Sequence, residues 1–211
     1  MRARKKKHTN DRLQKHSDIL LECQLLEKES IFKNNNPMHL EIGCGKGSFI
    51  TAAAQQNPQI NFIAMEKVSD VAVMAVEKAA EAQLENVRFI IGDAANLQEL
   101  FSPQSLECVY INFCDPWPKK KQHKRRLTHP NFLKLYKELL TSGGEICFKT
   151  DNRDLFDFSV EQMGAFEGFE LTYVTYDLHN SDRAKDNIIT EYEYKFSSQG
   201  MPIHMLTLKK L

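Results

Sequence analysis

The 211-residue sequence predicts an α/β fold with a mostly parallel sheet that helices cover on both faces. Short apolar segments alternate with segments of helical periodicity from about residue 38 to residue 166, and this alternation is typical of βαβ units with parallel strands. Two later apolar segments, 170–176 and 203–208, enclose a polar, glycine-free stretch over residues 179–187. They predict an antiparallel strand at one edge of the sheet.

The first thirty residues do not follow this alternation. Residues 1–12 lack apolar periodicity, so we expect a flexible basic arm there, followed by a single domain of residues 13–211. Residues 18–30 have apolar side chains at helical spacing and predict an amphipathic helix, which ends before Pro37. The basic block of the arm consists of Arg2, Arg4, Lys5, Lys6 and Lys7.

From residue 38 onward, each predicted element has a local reason. The strands are short and apolar, whereas the helices have apolar residues three or four positions apart and end near Asn-Pro or Gly-Gly. Pro130 lies in the first turn of one helix and Gly143-Gly144 follow its end, which is the expected asymmetry of helix termini. The predicted strands are 38–42, 60–65, 87–91, 109–113 and 145–148. The predicted helices are 48–56, 69–83, 95–100, 130–140 and 154–166.

The composition bounds the function without deciding it. The 28 basic and 28 acidic residues cancel, so net charge alone predicts no polyanionic partner, yet the basic residues are concentrated in the arm and in 119–126. Five scattered cysteines without ligand spacing predict a reduced, cytoplasmic protein with no metal site. No apolar run approaches the roughly 18 residues of a membrane span, and the charged N-terminus is unlike a secretory signal.

A carboxylate stands at or beside the end of each of the five parallel strands. Any one of these acids would also serve as a helix N-cap or a turn residue. In open parallel sheets, however, ligands bind outside the carboxyl ends of the strands, so five acids at one edge predict a ligand rich in hydrogen-bond donors. The five are Glu41, Glu66, Asp93, Asp115 and Asp151.

The loop after the first of these strands, Gly43-Cys44-Gly45-Lys46-Gly47, is one residue shorter than a G-x-G-x-x-G fingerprint and is a weak signal alone. Glu66 follows Gly45 by 21 residues at the end of the next strand, where an acid accepts hydrogen bonds from ribose hydroxyls. Asp93 is suited to an adenine amino group. The set predicts a cofactor that contains adenosine. Because Gly47 and not Ser or Thr follows Lys46, the loop is no P-loop, and we expect no NTP hydrolysis.

The segment after the fourth of these strands combines an acid with positive charge. Asp115 lies in a stiff turn with Pro116, Trp117 and Pro118, and six Lys or Arg residues and a His follow within residues 119–126. A carboxylate on such a turn is suited to contacting a base, and the cations are suited to the neighbouring phosphates. We therefore expect an enzyme that brings a nucleic-acid base to a bound cofactor.

Four stretches carry a resemblance to a known family. They are Asp115-Pro116-Trp117-Pro118-Lys119-Lys120, Lys124-Arg125-Arg126-Leu127, Lys149-Thr150-Asp151-Asn152 and Thr190-Glu191-Tyr192-Glu193. Together with the glycine loop, they resemble the bacterial tRNA (guanine-N7)-methyltransferases, a family within the class I S-adenosylmethionine-dependent methyltransferases. The match extends from about Met38 to the C-terminus, and the preceding residues are generic.

The resemblance implies a Rossmann-like fold with a seven-stranded sheet and transfer of a methyl group from S-adenosylmethionine to N7 of a guanosine in the variable loop of tRNA (m7G46). It leaves the oligomeric state open between monomer and homodimer. The implied cofactor contacts are Glu41, Gly43, Gly45, Glu66, Asp93 and Asp115, with Asp115 also the catalytic carboxylate. The implied substrate contacts are Lys119, Asp151, Thr190, Glu191, Tyr192 and Glu193, with Lys121, Lys124, Arg125 and Arg126 on the RNA.

The chemistry of guanine N7 agrees with these residue types. N7 has a free lone pair, so its methylation needs no general base, and positive charge develops on the purine, which a carboxylate such as Asp115 can stabilise. Arginine usually recognises guanine at O6 and N7, but here N7 must face the methyl donor. The N1–H and N2–H₂ donors then need acceptors, and Glu193 and Asp151 are candidates, with the hydroxyl of Thr190 beside them. Residues 190–193 also fit a helix capping box, and both interpretations can hold together.

Two alternatives remain at this stage. An amino-group methyltransferase for adenine or cytosine would use acceptors after the same strand, and Asp115-Pro116-Trp117 is a loose analogue, although Trp117 offers only a donor. An RNA-binding module with a decayed cofactor site is the second alternative, although every expected cofactor position is filled. Nothing orients a base toward Cys44 or Cys114, so we expect no covalent catalysis.

Overall fold

The computed structural model describes residues 8–26 and 28–211, and within them it contains eight α-helices and eight strands. The strands are β1 (Leu20–Leu21), β2 (Met38–Ile42), β3 (Asn61–Glu66), β4 (Val87–Ile91), β5 (Leu106–Asn112), β6 (Leu140–Thr150), β7 (Phe169–Thr175) and β8 (His204–Lys210). The helices are α1 (Thr9–Gln14), α2 (Lys28–Phe32), α3 (Ser48–Gln56), α4 (Ser69–Glu81), α5 (Leu97–Leu100), α6 (Pro130–Leu139), α7 (Arg153–Gly164) and α8 (Glu191–Ser197).

The contacts within the chain divide it into two compact units, one ending at Ser102 and the other beginning at Pro103. In the first unit, four parallel strands lie in the order β1-β4-β3-β2. Strands β2 and β3 are almost wholly buried, as the continuous apolar sequence of a strand covered on both faces requires. Their carboxyl ends at Ile42 and Glu66 therefore reach the same edge of this unit.

The predicted helix over residues 18–30 is wrong. Leu20 and Leu21 form a short strand that pairs with Phe89 and Ile90 of β4, and the described part of α2 starts only at Lys28. Apolar spacing cannot distinguish a helix from a short strand here. Ile19 and Leu26 are buried although the segment that contains them is not helical, whereas Leu25 is 56% exposed. This extra strand raises the number from the predicted seven to eight.

The N-terminal arm lies largely outside the described residues, which exclude residues 1–7. Helix α1 begins at Thr9 and contacts α4, where Arg12 donates two hydrogen bonds to Glu77 and Thr9 donates one to Asp70. Residues 9–12 are therefore helical and attached. The arm of residues 1–12 and the single domain of residues 13–211 remain predictions.

In the second unit the strand order is β5-β6-β8-β7. β5 and β6 are parallel, and β8 runs antiparallel to both β6 and β7. The predicted antiparallel pair near one edge is thus confirmed, as is the mostly parallel α/β class. β6 is longer than predicted and includes Gly143 and Gly144, because Gly143, at φ +77°, bends the strand instead of only ending α6.

Helix α6 begins as its sequence predicts, with Pro130 in the first turn and the His129 side chain accepting a hydrogen bond from the Asn131 N–H. Helix α8 begins with Thr190, whose hydroxyl accepts from the Glu193 N–H at 3.0 Å, so the Thr190 half of the predicted capping box is confirmed. The Glu193 carboxylate contacts Lys149, His179 and Asn187 and does not complete the box. Among residues 8–26 and 28–211, the helices are all too short or too polar to cross a bilayer.

We expect His39 on β2 to make stability depend on pH. Its ring lies edge-on to Phe62, with the centroids 5.6 Å apart, and burial lowers its pKa to about 4. In the unfolded chain the imidazole binds a proton near its ordinary pKa of about 6.5. The contribution of neutral, buried His39 to stability is therefore fully present above that pH. As the pH falls from about 6.5 toward 4, the free energy of unfolding decreases by about 1.4 kcal/mol per pH unit.

The measurement is urea unfolding between pH 7 and pH 4 for the wild type and for His39→Gln. The variant should have the shallower dependence of unfolding free energy on pH. Identical slopes would mean that His39 is protonated equally in both states.

Candidate functional site

The glycine loop of the first unit is built on the end of β3. The backbone N–H groups of Gly43 and Cys44 both donate to the Met65 carbonyl, at 2.8 and 3.0 Å. Gly43, Gly45 and Gly47 all have positive φ, which glycine adopts without strain. The loop therefore turns sharply from β2 into α3.

The three glycines differ in what surrounds them. A Cβ added at Gly47 would lie 2.7 Å from Cβ of Ala75, so this glycine permits close packing against α4. A Cβ at Gly43 or Gly45 would meet no atom within 4 Å. The backbone of the loop is therefore open to a ligand at the first two glycines and closed at the third.

Glu66 holds the loop from the next strand. Its Oε2 accepts from the Gly45 N–H at 3.1 Å and its Oε1 accepts from the Val68 N–H at 2.9 Å. A carboxylate has about four lone-pair positions, so two such bonds leave acceptor capacity on the same group. Glu66 is thus oriented by the backbone and still able to accept hydrogen bonds from a ligand.

The other predicted cofactor acids have different surroundings. Glu41 is buried in β2. The pKa of the neighbouring Cys44 thiol is raised first by burial of the thiol and then by the charges of Glu41 and Glu66. Asp93 caps a short 3-10 turn by accepting from the Ala95 N–H at 3.1 Å, and it also pairs with the exposed Lys67. An exposed pair of this kind contributes little stability and can be exchanged for a ligand donor.

In the second unit, the turn that carries Asp115 is fixed at its start by β6. The Phe113 N–H donates to the Lys149 carbonyl at 2.9 Å, and Phe113 has a left-handed φ of +52°. Asp115 itself is exposed. Burial, with a further contribution from the charge of Asp115, raises the pKa of the Cys114 thiol to about 12. A protonated thiol is a poor nucleophile, which agrees with the absence of covalent catalysis expected from the sequence.

The basic segment is divided into exposed and buried cations. The exposed ones are Lys119, Lys120, Lys121, Lys124 and Arg125. Arg125 also lies over the Trp117 ring, 4.3 Å from the ring centroid. Arg126, in contrast, is 3% exposed, and its guanidinium donates to the carbonyls of Pro116 and Trp117. Arg126 is thus buried and bound to backbone carbonyls, whereas the RNA contact predicted for it would require an exposed side chain.

Glu193 is fully buried, and its carboxylate is occupied by side chains of its own unit. Lys149 Nζ donates to Oε2 at 2.9 Å, while His179 and Asn187 contact Oε1 at 2.8 and 2.5 Å. Burial alone would raise the pKa of Glu193, but the charge of Lys149 and these three hydrogen bonds lower it below its ordinary value. Glu193 is therefore an ionised internal acceptor, and guanine recognition by it stays an untested prediction.

Tyr192, which precedes Glu193 in the chain, lies near Asp151 and Asp115. It is 47% exposed, and its ring centroid is 5.0 Å from that of Phe113. Its pKa is raised by burial first and then by the charges of Asp151 and Asp115. The structure therefore brings Asp115, Asp151 and Tyr192 into one neighbourhood, with Glu191 exposed on the same helix.

Sequence reasoning missed Lys149 and Asn187. Lys149 Nζ donates to Asn187 Oδ1 at 2.8 Å and to the Ile188 carbonyl at 3.1 Å, in addition to Glu193. The available signal was a lysine inside an apolar strand, because a buried cation requires a paired acceptor. His179 is a further partner of Glu193, and its contact with the Glu193 carboxylate ties the loop of residues 178–180 to α8.

The comparisons with known proteins identify the family. A family model described as a putative methyltransferase matches residues 35–206. The tRNA (guanine-N(7)-)-methyltransferase of Lachnoclostridium phytofermentans is 51% identical over 176 residues, which cover 83% of this chain and 82% of that protein. The proteins of the same name from Bacillus subtilis and Clostridioides difficile are each 46% identical and cover 97% and 100% of this chain, and 96% and 99% of their own lengths. The chain belongs to the tRNA (guanine-N(7)-)-methyltransferase family.

Solved structures show the fold of this family member independently. The 16S rRNA methyltransferase KamB superimposes with a TM-score of 0.62 at 16% identity, covering 89% of this chain and 95% of its own. TrmN from Thermus thermophilus gives a TM-score of 0.58 at 20% identity, covering 87% of this chain and 47% of its own. The Rossmann-like class I methyltransferase fold and the family resemblance of the motifs are confirmed, and a module without enzymatic activity is not supported.

We expect removal of one partner from the buried pair of Lys149 and Glu193 to be strongly destabilising, because the other charge is then left buried and unpaired. Glu193→Gln keeps the shape but removes the charge opposite a buried ammonium, which should cost about 3–5 kcal/mol of unfolding free energy. The measurement is urea unfolding at pH 7, with Glu191→Gln on the exposed side of α8 as the control.

The double variant Lys149→Met, Glu193→Gln tests the cause. It should recover part of the loss, because no buried charge is then left unpaired. Additive losses in the double variant would contradict a direct interaction.

Proposed function

We propose that this methyltransferase transfers the methyl group of S-adenosylmethionine to N7 of a guanosine in the variable loop of tRNA, at the position that gives m7G46. The observation that carries the proposal is Asp115, an exposed carboxylate on a braced turn that is followed at once by exposed cations. Relatives that are 46–51% identical and are named tRNA (guanine-N(7)-)-methyltransferases support the N7 atom and the tRNA substrate. The reaction would take place in the cytoplasm, as the sequence predicts.

The first unit would hold the cofactor. Glu66 accepts from the ribose hydroxyls, while Asp93 exchanges Lys67 for the adenine amino group. Gly43 and Gly45 provide the open backbone, and the buried Glu41 adds negative charge. When bound, S-adenosylmethionine supplies a methyl group on a sulfonium. The carboxylates here suit a cofactor whose positive charge lies near its reactive atom.

In the second unit, Asp115 would act on the base. The guanine ring gains positive charge as N7 is methylated, and a fixed carboxylate stabilises that charge without having to reorganise. No proton has to leave N7, so no general base is required. This is consistent with the protonated state expected for Cys114.

Guanine recognition falls to Asp151 in this proposal. The N1–H and N2–H₂ groups need acceptors, and Asp151 is half-buried beside Tyr192. Thr190 and Glu193 contribute indirectly, since the hydroxyl of Thr190 caps α8 and the carboxylate of Glu193 binds Lys149. Glu191 and Tyr192, both exposed on α8, would contact the substrate directly.

The exposed cations would bind the tRNA backbone. Lys119, Lys121, Lys124 and Arg125 follow Asp115 closely in the chain, so phosphates that flank the target base lie within reach of the same segment. Contacts of this kind carry no sequence information and position the RNA. Whether the enzyme acts as a monomer or a homodimer does not enter this assignment.

Nucleoside analysis of methylated tRNA tests the proposed function. The wild type, S-adenosylmethionine and a tRNA transcript should yield 7-methylguanosine on digestion and mass spectrometry. A transcript with 7-deazaguanosine at the target lacks the N7 lone pair and should not be methylated. Formation of 1-methylguanosine, N2-methylguanosine or a methylated adenosine would overturn the proposal.

Asp115 variants test its role in the same assay. Asp115→Asn keeps the shape and loses the charge, so turnover should fall on the order of a hundredfold, and Asp115→Ala should be at least as poor. Asp157→Asn, which removes an exposed acid paired with Arg153 on α7, is the control. Near-normal turnover of Asp115→Asn would eliminate the electrostatic role.

Glu66→Ala should weaken S-adenosylmethionine binding by ten- to a hundredfold, about 1.5–3 kcal/mol, because charge-assisted hydrogen bonds to ribose are lost. Glu66→Gln keeps one acceptor and should be intermediate. Titration calorimetry measures the affinity, and thermal unfolding checks that the loop remains folded. Equal affinities for all three proteins would limit Glu66 to shaping the turn.

A further inference from the structure

Arg126 is the last cation of the basic segment and the only one of its six Lys and Arg residues that is buried. Its Nε donates to the Pro116 carbonyl at 2.9 Å and its Nη2 donates to the Trp117 carbonyl at 3.4 Å. Both carbonyls belong to the turn that carries Asp115. The guanidinium therefore holds the residues that directly follow the proposed catalytic carboxylate.

The turn needs an external donor because of its own sequence. Pro116 and Pro118 have no backbone N–H, so they cannot close the turn by donating hydrogen bonds. Trp117 between them has a left-handed φ of +42°, which is unfavourable for a bulky side chain and persists only where the surroundings fix it. A planar guanidinium can donate to two neighbouring carbonyls at once, whereas the single ammonium of lysine has no such fork.

Helix α7 supports the guanidinium from the other side. The Arg126 guanidinium lies over the Phe158 ring, 4.4 Å from its centroid, and the buried Ser159 hydroxyl donates to the Thr128 hydroxyl at 2.7 Å. Burial lowers the pKa of Arg126, although arginine remains charged at any physiological pH. A chain of contacts thus runs from α7 through Arg126 to the backbone beside Asp115.

Arg125 provides the contrast within the same segment. Its side chain is exposed, and its guanidinium lies over the Trp117 ring instead of contacting the turn carbonyls. Two adjacent arginines of equal charge therefore have opposite surroundings, one facing solvent and one beneath the turn. Net charge and sequence position cannot separate them.

We infer that Arg126 is a positioning residue that fixes the Asp115 turn on α7 and makes no contact with tRNA phosphates. The inference rests on the proposed function, because it assigns Asp115 to catalysis. It removes one cation from the RNA-binding set and gives that cation a mechanical role in turnover. The distinction is measurable, since a phosphate contact and a positioning contact affect different parameters.

The experiment compares Arg126→Ala with Arg125→Ala in the full chain. tRNA affinity is measured from about 50 to 200 mM salt, and kcat and KM are measured by 7-methylguanosine formation. Arg125→Ala should flatten the plot of log affinity against log salt by about one phosphate contact. Arg126→Ala should keep the wild-type slope and lose kcat by tenfold or more. A flattened slope with wild-type kcat for Arg126→Ala would overturn the inference.

Guanidinium rescue separates positioning from a general loss of stability. Added guanidinium ion at tens of millimolar should restore part of the kcat of Arg126→Ala, compared with an equal concentration of sodium chloride. Arg126→Lys should be intermediate in kcat, because it supplies a cation without the fork. No rescue, together with a kcat of Arg126→Lys no better than that of Arg126→Ala, would overturn the inference.

Phe158→Leu covers the case in which Arg126→Ala does not fold. This variant keeps every cation and removes the ring under the guanidinium, so kcat should fall while the salt slope is unchanged. Wild-type kcat in Phe158→Leu would count against the support from α7. Failure of the wild type to form 7-methylguanosine would instead defeat the proposed function, and the two failures are thereby distinguishable.

Discussion

The geometry of the second unit depends on one buried cation, Lys149. Its ammonium binds Glu193, Asn187 and the Ile188 carbonyl, and its own backbone carbonyl accepts from the Phe113 N–H. A single residue therefore ties helix α8, the loop before it and the start of the Asp115 turn to strand β6. Burying an ion pair is costly in itself, and here complete hydrogen bonding on both partners offsets that cost. What the pair provides is a fixed geometry more than extra stability.

The Asp115 turn consequently has support at both ends. Lys149 holds its beginning through the Phe113 N–H, and Arg126 holds its end through the carbonyls of Pro116 and Trp117. Both supports are hydrogen bonds to the backbone of the turn, and they leave the side chain of Asp115 exposed. A carboxylate that must oppose a developing charge works best when it does not move, and two supports under an exposed acid meet that requirement. The exposed cations around it can then adapt to RNA without disturbing the acid.

The sequence predicts most of the fold and only part of this site. Strand ends, glycine loop and carboxylates follow from local patterns, because their chemistry is visible within a few residues. The two-residue strand Leu20–Leu21 does not, since its pairing with β4 depends on residues almost seventy positions away. The same holds for Glu193, which the motif presents as a candidate substrate acceptor, while its actual partner Lys149 is 44 residues distant. Arg126 shows the converse difficulty, because a run of cations gives no sign of which one is buried, and the RNA contact expected of Arg126 stays a prediction.

The first unit has a separate constraint, which concerns charge. Three of its four strands have an acid at or beside the carboxyl end, namely Glu41, Glu66 and Asp93. Its loop offers open backbone at Gly43 and Gly45, without the lysine-serine or lysine-threonine of a phosphate-binding loop. A pyrophosphate beside these acids would be repelled, whereas ribose hydroxyls and an adenine amino group are donors that carboxylates accept. The proposed cofactor has a sulfonium at the position where a nucleotide has its phosphates, and so satisfies both conditions. Under that proposal the acids would disfavour nucleoside phosphates by repulsion and favour the sulfonium by attraction, which is a stronger basis for specificity than hydrogen bonding alone.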